Sequence, residues 1–451
     1  MNRKTKTAFV CTQCGAMHPK WQGQCKECGE WNTLAEERIV TPARKSKRLA
    51  AERPRGLSEI DGTLLSGYVS GEGEFDRVLG GRLLPGSAVL VAGEPGIGKS
   101  TLILQAADAY SNHGLKVLYV TGEESPGQIK LRSERLSLSG TNIAVINLTD
   151  LEQILAAAEE HQFNIVIVDS VQTVSSGVFD SPPGTIGQIR ESAGRLIESA
   201  KKNDYALFLV GHVTKEGLVA GPKVLEHMVD AVVYFEGDSR HLYRILRTVK
   251  NRYGSSFEMG VFEMTAAGLR GVENPSKLFL SEYEGISRSG TVVTASCEGN
   301  RPILVEIQAL VSSASYGTPQ RVAGGIDNKR LALLLAILEK RIGVPMGSND
   351  VFVSVAGGLR LSEPATDLAV LAAIVSSLRN DSVGARTVIV GEVGLSGEVR
   401  AVGMIDRRIA EAAKLGFERI VVPDQNLDSI KSDGIEIVNV ATLEKALEML
   451  F

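Results

Sequence analysis

The eight residues Gly93-Glu94-Pro95-Gly96-Ile97-Gly98-Lys99-Ser100 constrain the fold of this chain more than any other stretch. They complete a G-x4-G-K-S pattern directly after the apolar run Ala88 to Ala92 and just before residues with helical spacing. Glycines in such a loop let backbone N–H groups curl around phosphate oxygens, Lys99 can reach the β and γ groups, and the Ser100 hydroxyl can hold Mg2+. The start of the helix adds a positive field of its own. A chain organised around this element needs a strand, a tight loop and a helix in an α/β layer, with ATP as the expected occupant.

The flanking pattern is α/β as well. Lys116 to Val120, Phe163 to Val168 and Tyr205 to Val210 are short β-branched runs bounded by polar or glycine residues, the signature of buried parallel strands. Leu151 to His161 and Ile186 to Ala200 have helical spacing and enough length for right-handed crossovers. Val229 to Phe235 and His241 to Val249 read as strands around a Gly237-Asp238 turn, so the sheet is expected to finish with antiparallel pairing. After Pro275 a second α/β unit begins. Val292 to Cys297 and Ile303 to Leu310 flank the hairpin pair Gly299-Asn300, Val351 to Val355 and Thr387 to Val390 read as strands, and Leu331 to Leu338, Thr366 to Leu378 and Arg407 to Leu415 as helices.

A length of 451 residues with 43% hydrophobic content accommodates two or three domains. The pattern divides into a cysteine-rich module at 1–35, a basic linker at 36–56, an ATPase domain at 57–270 and a further α/β domain at 271–451. The linker carries Arg44, Lys45, Lys47, Arg48, Arg53 and Arg55 against Glu52. It reads as a flexible tether that could also touch a phosphate backbone.

ATP hydrolysis needs more than a phosphate cradle. The run Ile165-Val166-Ile167-Val168 ends in Asp169, a carboxylate placed to hold Mg2+ directly or through water. Alone it could cap a helix; with Lys99 and Ser100 it belongs most economically to one site. Glu123 and Glu124 follow the strand ending near Val120, and one of them is the expected base that orients water. His212, at the end of the Tyr205 to Val210 run, could sense the γ-phosphate or couple it to the next loop.

Cys11-x2-Cys14 and Cys25-x2-Cys28 are two tight pairs separated by ten residues, each followed by a glycine, Gly15 or Gly29. Two such pairs make the tetrahedral four-sulfur shell of structural Zn2+. His18 then reads as an exposed loop residue, and Trp21 and Trp31 as packing around the small module, whose loss should leave the ATPase core undisturbed across the linker. Cys297, alone in an expected strand, reads as a buried apolar residue.

A net charge of -4 would not draw a polyanion, so any nucleic acid must be met by local basic patches. The N-terminus shows no apolar secretory segment, and no stretch approaches the roughly 18 continuous apolar residues of a membrane span. A soluble, cytoplasmic protein with no membrane partner is the expectation.

Taken together, the four cysteines, the P-loop, Thr121-Gly122-Glu123-Glu124-Ser125, the Asp169 strand and Lys250-Asn251-Arg252-Tyr253-Gly254 resemble the bacterial RadA (Sms) family of RecA-like recombination ATPases. The resemblance covers essentially the whole chain. Its most diagnostic part is the last segment, similar to the family's Lys-Asn-Arg-Phe-Gly motif with Tyr253 keeping the ring. The resemblance implies a homo-oligomeric, hexameric ring whose ATPase is stimulated by DNA. Such a ring acts on single-stranded and branched DNA and helps a RecA-type recombinase extend heteroduplex by branch migration. It implies Glu123 as the water-activating residue, and Lys250 and Arg252 as subunit-interface groups that couple ATP state to DNA. It also implies that the segments Ser175 to Gly187 and Thr214 to Lys223, the second with Lys215 and Lys223, face the ring channel.

The C-terminal unit resembles the proteolytic domain of the Lon proteases. Ser362-Glu363-Pro364-Ala365-Thr366-Asp367 lies where Lon has Gly-Pro-Ser-Ala-Gly, with Ala365 at the nucleophile position and Asp406 near the place of the catalytic lysine. Without a Ser-Lys pair, peptide hydrolysis is not expected. The domain reads as a ring-forming scaffold with DNA contacts through Arg379, Arg386, Arg400, Arg407 or Arg408. Two competing functions stay open at this point: an ATP-dependent protease, and a nucleotide-switched DNA-binding protein without translocation.

Overall fold

Runs of residues with no polar face build the central sheet of the first of two units, Met1–Glu273 and Asn274–Phe451. The computed structural model describes residues 5–40, 66–212, 223–237, 243–256, 258–280, 288–314, 317–430 and 434–451. The basic cluster at 44–55, Asp238 of the expected turn, and the segment 214–222 with Lys215 lie outside the described residues.

Three strands, β1 (Thr5–Cys11), β2 (Met17–His18) and β3 (Leu34–Val40), form a small antiparallel sheet in the order β2-β1-β3. β3 therefore crosses the boundary expected between the cysteine module and the linker. There follow α1 (Gly73–Val78), β4 (Ala88–Gly93), α2 (Lys99–Asn112), β5 (Val117–Thr121), α3 (Pro126–Arg135), β6 (Ile143–Asn147), α4 (Leu151–Glu160) and β7 (Ile165–Asp169). The unit continues with α5 (Ile186–Asn203), β8 (Ala206–His212), α6 (Lys223–Glu226), β9 (Ala231–Glu236), β10 (Tyr243–Asn251), β11 (Met259–Thr265) and β12 (Gly268–Gly271).

The nine strands β4 to β12 share one sheet, ordered β12-β11-β10-β9-β4-β8-β7-β5-β6. From β9 to β6 all neighbours are parallel, and β10 to β12 extend the sheet antiparallel. Alternation along β4 sends Val89 and Val91 into one core with Ile103 and Tyr110 of α2, and Leu90 into another with Ile154 of α4 and Leu196 of α5. Burial on both faces explains the continuous apolar runs. It also aligns Gly93 with His212, and Thr121 with Asp169, along one edge of the sheet, where parallel α/β sheets bind ligands.

The cysteine module is seated on α5, which corrects the expectation of a module isolated by its tether. Val10 packs with Ile186 and Val224, the Arg190 guanidinium donates to the Gly15 carbonyl, and Glu37 accepts from the Gly187 N–H and the Ser181 hydroxyl. A sheet this small cannot bury its own apolar residues and needs a second surface. Gly187 permits the approach, because a Cβ there would lie 2.2 Å from Glu37 Oε2. The module's own core is Cys11, Cys25 and Leu34. Trp21 and Trp31, expected to pack around it, are 59% and 67% exposed.

The second unit comprises α7 (Ser276–Phe279), β13 (Thr291–Glu298), β14 (Arg301–Ser313), β15 (Arg321–Gly324), α8 (Asn328–Ile337), β16 (Asn349–Val355), α9 (Asp367–Arg379), β17 (Thr387–Ile389), β18 (Glu392–Val393), β19 (Val399–Arg400), α10 (Ile405–Lys414), β20 (Arg419–Pro423), β21 (Glu436–Val440) and α11 (Leu443–Leu450). Its sheet runs β15-β16-β14-β13-β17-β20-β21. Gly299-Asn300 forms the two-residue hairpin, with Glu298 opposite Arg301. α9 is buried from Asp367 through Ser376, which its apolar sequence requires. Among the described residues no helix is long and apolar enough to cross a membrane.

Candidate nucleotide and metal sites

The loop between β4 and α2 has the shape its glycines allow. Gly96 and Gly98 take φ values of 75° and 113°, where a side chain is strained, and a Cβ on Gly93 would lie 2.5 Å from the Phe235 carbonyl. α2 begins at Lys99 with no side-chain cap and no acid in its first turn, so its leading N–H groups are left for an anion. Glu94 and Pro95 lie exposed on the rim, while Ile97 is anchored in the core below. Lys99 is buried, and its Nζ donates to the Gly93 and Glu94 carbonyls, each at 2.9 Å. Burial lowers its pKa to about 8 against the opposing pull of Asp169 and Glu123.

Asp169, at the end of β7, accepts from the Tyr119 hydroxyl at 2.6 Å. The next residue, Ser170, donates to Glu123 Oε1 at 2.7 Å, and His212 Nε2 lies 3.5 Å from the same oxygen. Glu124 turns elsewhere: its carboxylate pairs with Arg132, and its carbonyl accepts from Thr121 Oγ1 and Asn147 Nδ2. Gly122 makes the turn possible, since a Cβ there would meet Thr173 Oγ1 at 1.8 Å. The two adjacent glutamates are thus divided between the phosphate edge and the α3 surface.

One contributor was missed from sequence. Arg244 on β10 donates from Nε to the carbonyl of Ile97 at 3.3 Å, inside the P-loop. Its signal is an arginine at an inward-facing position of an alternating strand, where the burial pattern of β10 places it.

Lys250 and Arg252 do not join this cluster within the chain. Lys250 lies opposite Val232, and the Arg252 N–H donates to the Asp230 carbonyl, near the start of β9 and at the end of the sheet away from Gly93. Lys250 Nζ donates to the carbonyls of Glu226 and Val229 at 2.7 and 2.8 Å. Arg252, with its side chain 50% exposed, pairs at 3.2 Å with buried Asp230, whose other oxygen accepts the Ala88 N–H. In the segment Ser175 to Gly187, buried Gln188 holds the backbone at Ser176, Phe179 and Ser181, so this stretch is fastened.

The sulfurs of Cys11, Cys14, Cys25 and Cys28 all lie within 4.8 Å of one another, a donor set that fits one Zn2+ with no further ligand. Hydrogen bonds prepare them unequally. Burial raises the Cys11 thiol, but donors at Thr33, Cys14 and Gln13 outweigh it and bring the pKa to about 6, whereas burial pushes Cys14 up to about 12. His18, expected in an exposed loop, is instead buried on β2. Pairing with β1 turns it inward, a consequence of sheet register that the loop expectation could not contain.

In the second unit, Ala365 is buried and offers no nucleophile. Beside it, fully buried Arg408 pairs with Glu363 and donates to the Ala295 carbonyl. Glu363 also accepts the Cys297 N–H at 2.8 Å, and Cys297 itself is half-buried. Arg408 is thus a core residue, which corrects its place among the expected DNA contacts. Arg386 and Arg400 are paired with carboxylates, Arg407 donates to the Asn300 carbonyl, and Arg379 lies over the Phe451 ring.

Family models match three stretches: an AAA domain over residues 67–217, a rubredoxin metal binding domain over 9–36, and subunit ChlI of Mg-chelatase over 326–426. The whole chain is similar to the DNA repair protein RadA of Bacillus subtilis, with 48% identity covering 98% of each chain. The corresponding protein of Pseudomonas aeruginosa is 46% identical over 99% of each, and that of Escherichia coli is 45% identical over 100% of this chain and 99% of that one. A solved structure described as the RadB recombinase shares 20% identity, covering 46% of this chain and 99% of its own at a TM-score of 0.36, too loose an overlap to build on.

Proposed function

Because the chain belongs to the family of the bacterial DNA repair protein RadA, we propose that it is a DNA-dependent ATPase that processes recombination intermediates and promotes branch migration and heteroduplex extension. One observation carries the enzymatic part: the P-loop, Asp169 and Glu123 meet at a single sheet edge, with Ser170 bridging the last two. Gly93 to Ser100 would cradle ATP, and Ser100 with Asp169 would hold Mg2+, which neutralises phosphate charge when bound. Lys99 exchanges its two carbonyl partners for phosphate oxygens. Glu123, restrained by Ser170 and near His212, accepts the proton of attacking water, and Glu124 stays with Arg132.

Arg252 lies too far along the sheet to serve its own P-loop, which supports action on a neighbouring subunit's nucleotide in a hexameric ring. Lys250 then works by holding the Glu226 to Val229 carbonyls that lead into Asp230. Single-stranded and branched DNA, with a RecA-type recombinase, are the partners this reading names, and the cytoplasm is its place of work. The second unit is read as a Lon-protease-like scaffold with Ala365 at the nucleophile position and Asp406 near the place of the catalytic lysine, so it lacks the Ser-Lys pair of a peptidase.

The test is steady-state ATP turnover with and without single-stranded DNA, for the wild type and Lys99→Ala. DNA-stimulated turnover lost in Lys99→Ala is the expected result. Turnover indifferent to DNA would overturn the DNA-dependent reading.

A further inference from the structure

A zinc ion held by four thiolates carries a net double negative charge, which at the buried ligands must be stabilised by protein donors in place of bulk water. Cys11 and Cys25 are the two buried ligands. Cys11 has its donors, the Thr33 hydroxyl at 3.2 Å and the Gln13 N–H at 3.4 Å. At Cys25, only 1% exposed, the neighbour is His18, whose Nε2 lies 3.4 Å from the sulfur.

The orientation of that imidazole is set from its far side. His18 Nδ1 lies 3.0 Å from Gln22 Nε2. An amide nitrogen has hydrogens and no available lone pair, so Gln22 donates and Nδ1 accepts. With Nδ1 accepting, the ring N–H is the one at Nε2, directed at the Cys25 sulfur, a tautomer assigned from the hydrogen-bond network. β2 holds the ring there through its pairing with β1, where His18 stands opposite Phe9. Four sulfurs already fill a tetrahedral shell, so His18 has a role only outside it.

We propose that His18 is a positioning residue of the zinc site: it donates an Nε2–H···S hydrogen bond to the Cys25 thiolate, with Gln22 selecting the tautomer. The bond withdraws charge from a sulfur that water cannot reach. That makes Cys25 a poorer nucleophile toward oxidants, and it stabilises the doubly negative four-thiolate centre with the ligand held in place, so the bound ion is retained against chelators. Partners of metal ligands typically contribute about 10–100-fold in affinity.

The experiment follows zinc transfer to a chromogenic chelator from full-length wild type, His18→Phe and Gln22→Leu. Phenylalanine keeps the ring and removes the donor. All three proteins should hold one zinc, with release about 10-fold faster in His18→Phe and intermediate in Gln22→Leu. In the cobalt-substituted proteins, the sulfur-to-cobalt charge-transfer band should move to lower energy in His18→Phe, since an unbonded thiolate is more easily oxidised. Unchanged release together with an unmoved band would overturn the proposal. So would a wild-type cobalt spectrum showing a nitrogen ligand, which would put His18 in the inner shell. Should His18→Phe fail to fold, the cadmium-substituted wild type with isotope-labelled histidine decides: through-bond coupling between the Nε2 proton and cadmium supports the bond, and its absence rejects it.

Discussion

Ser170 donates its hydroxyl to Glu123 Oε1 at 2.7 Å, tying the residue after Asp169 to the loop that follows β5. The bond restrains one of two adjacent carboxylates at the nucleotide edge, while Arg132 draws the other to α3. Glu123→Gln should therefore keep ATP binding and slow single-turnover hydrolysis by about 100-fold or more, the ordinary contribution of a general base. Glu124→Gln should slow it less than about 10-fold, because it breaks only a partly exposed ion pair. Equal losses in the two variants would remove the distinction.

Lys99 predicts a pH dependence. Burial lowers its pKa to about 8, and bound phosphates favour the charged amine and raise it again. Above pH 8 nucleotide binding then requires proton uptake, so ATP affinity should fall by up to about 10-fold per pH unit. Below pH 8 it should level off. Fluorescent-nucleotide titrations at several pH values check this, and a flat profile in wild type would contradict it. For folding the sign is separate: the unfolded chain binds the extra proton between about 8 and 10.5, so this group makes stability rise with pH across that window and costs a constant amount below it.

Arg252 distinguishes two roles through mixed rings. Its contact with buried Asp230 is within the chain, and a role confined to that contact would disable only the subunit that carries the substitution. Action across a boundary predicts that Arg252→Ala and Lys99→Ala chains, each inactive alone, regain hydrolysis when mixed, at junctions pairing an intact Lys99 site with an intact Arg252. Mixed rings verified by mass measurement but inactive at every ratio would rule out the trans role.

The seat of the cysteine module on α5 makes zinc content visible beyond the module. Cys28→Ala should lose stoichiometric zinc and increase hydrogen exchange at 176–187, because Glu37 holds Gly187 and Ser181 from β3. Glu37→Ala should raise exchange in the same segment while keeping zinc, and core strands such as β4 should stay protected in both. Unaltered exchange at 176–187 in Glu37→Ala would mean that the contact does not hold the loop.

Local chemistry alone determined the elements whose residues interact with near neighbours. The P-loop, the two cysteine pairs, the Gly299-Asn300 hairpin and the apolar strands are legible because each is a short stretch with one low-energy geometry or an unbroken apolar pattern. What remained undecided depended on residues far apart in the chain. Glu123 and Glu124 are equivalent as neighbours, and only Ser170 and Arg132, brought in by β7 and α3, assign them different directions. Arg408 looks like surface charge until α10 buries it against Glu363, and His18 looks like a loop residue until β1 pairs with β2. Whether a polar side chain meets water or a partner is decided by desolvation in the packed molecule, a tertiary property that no local spacing encodes.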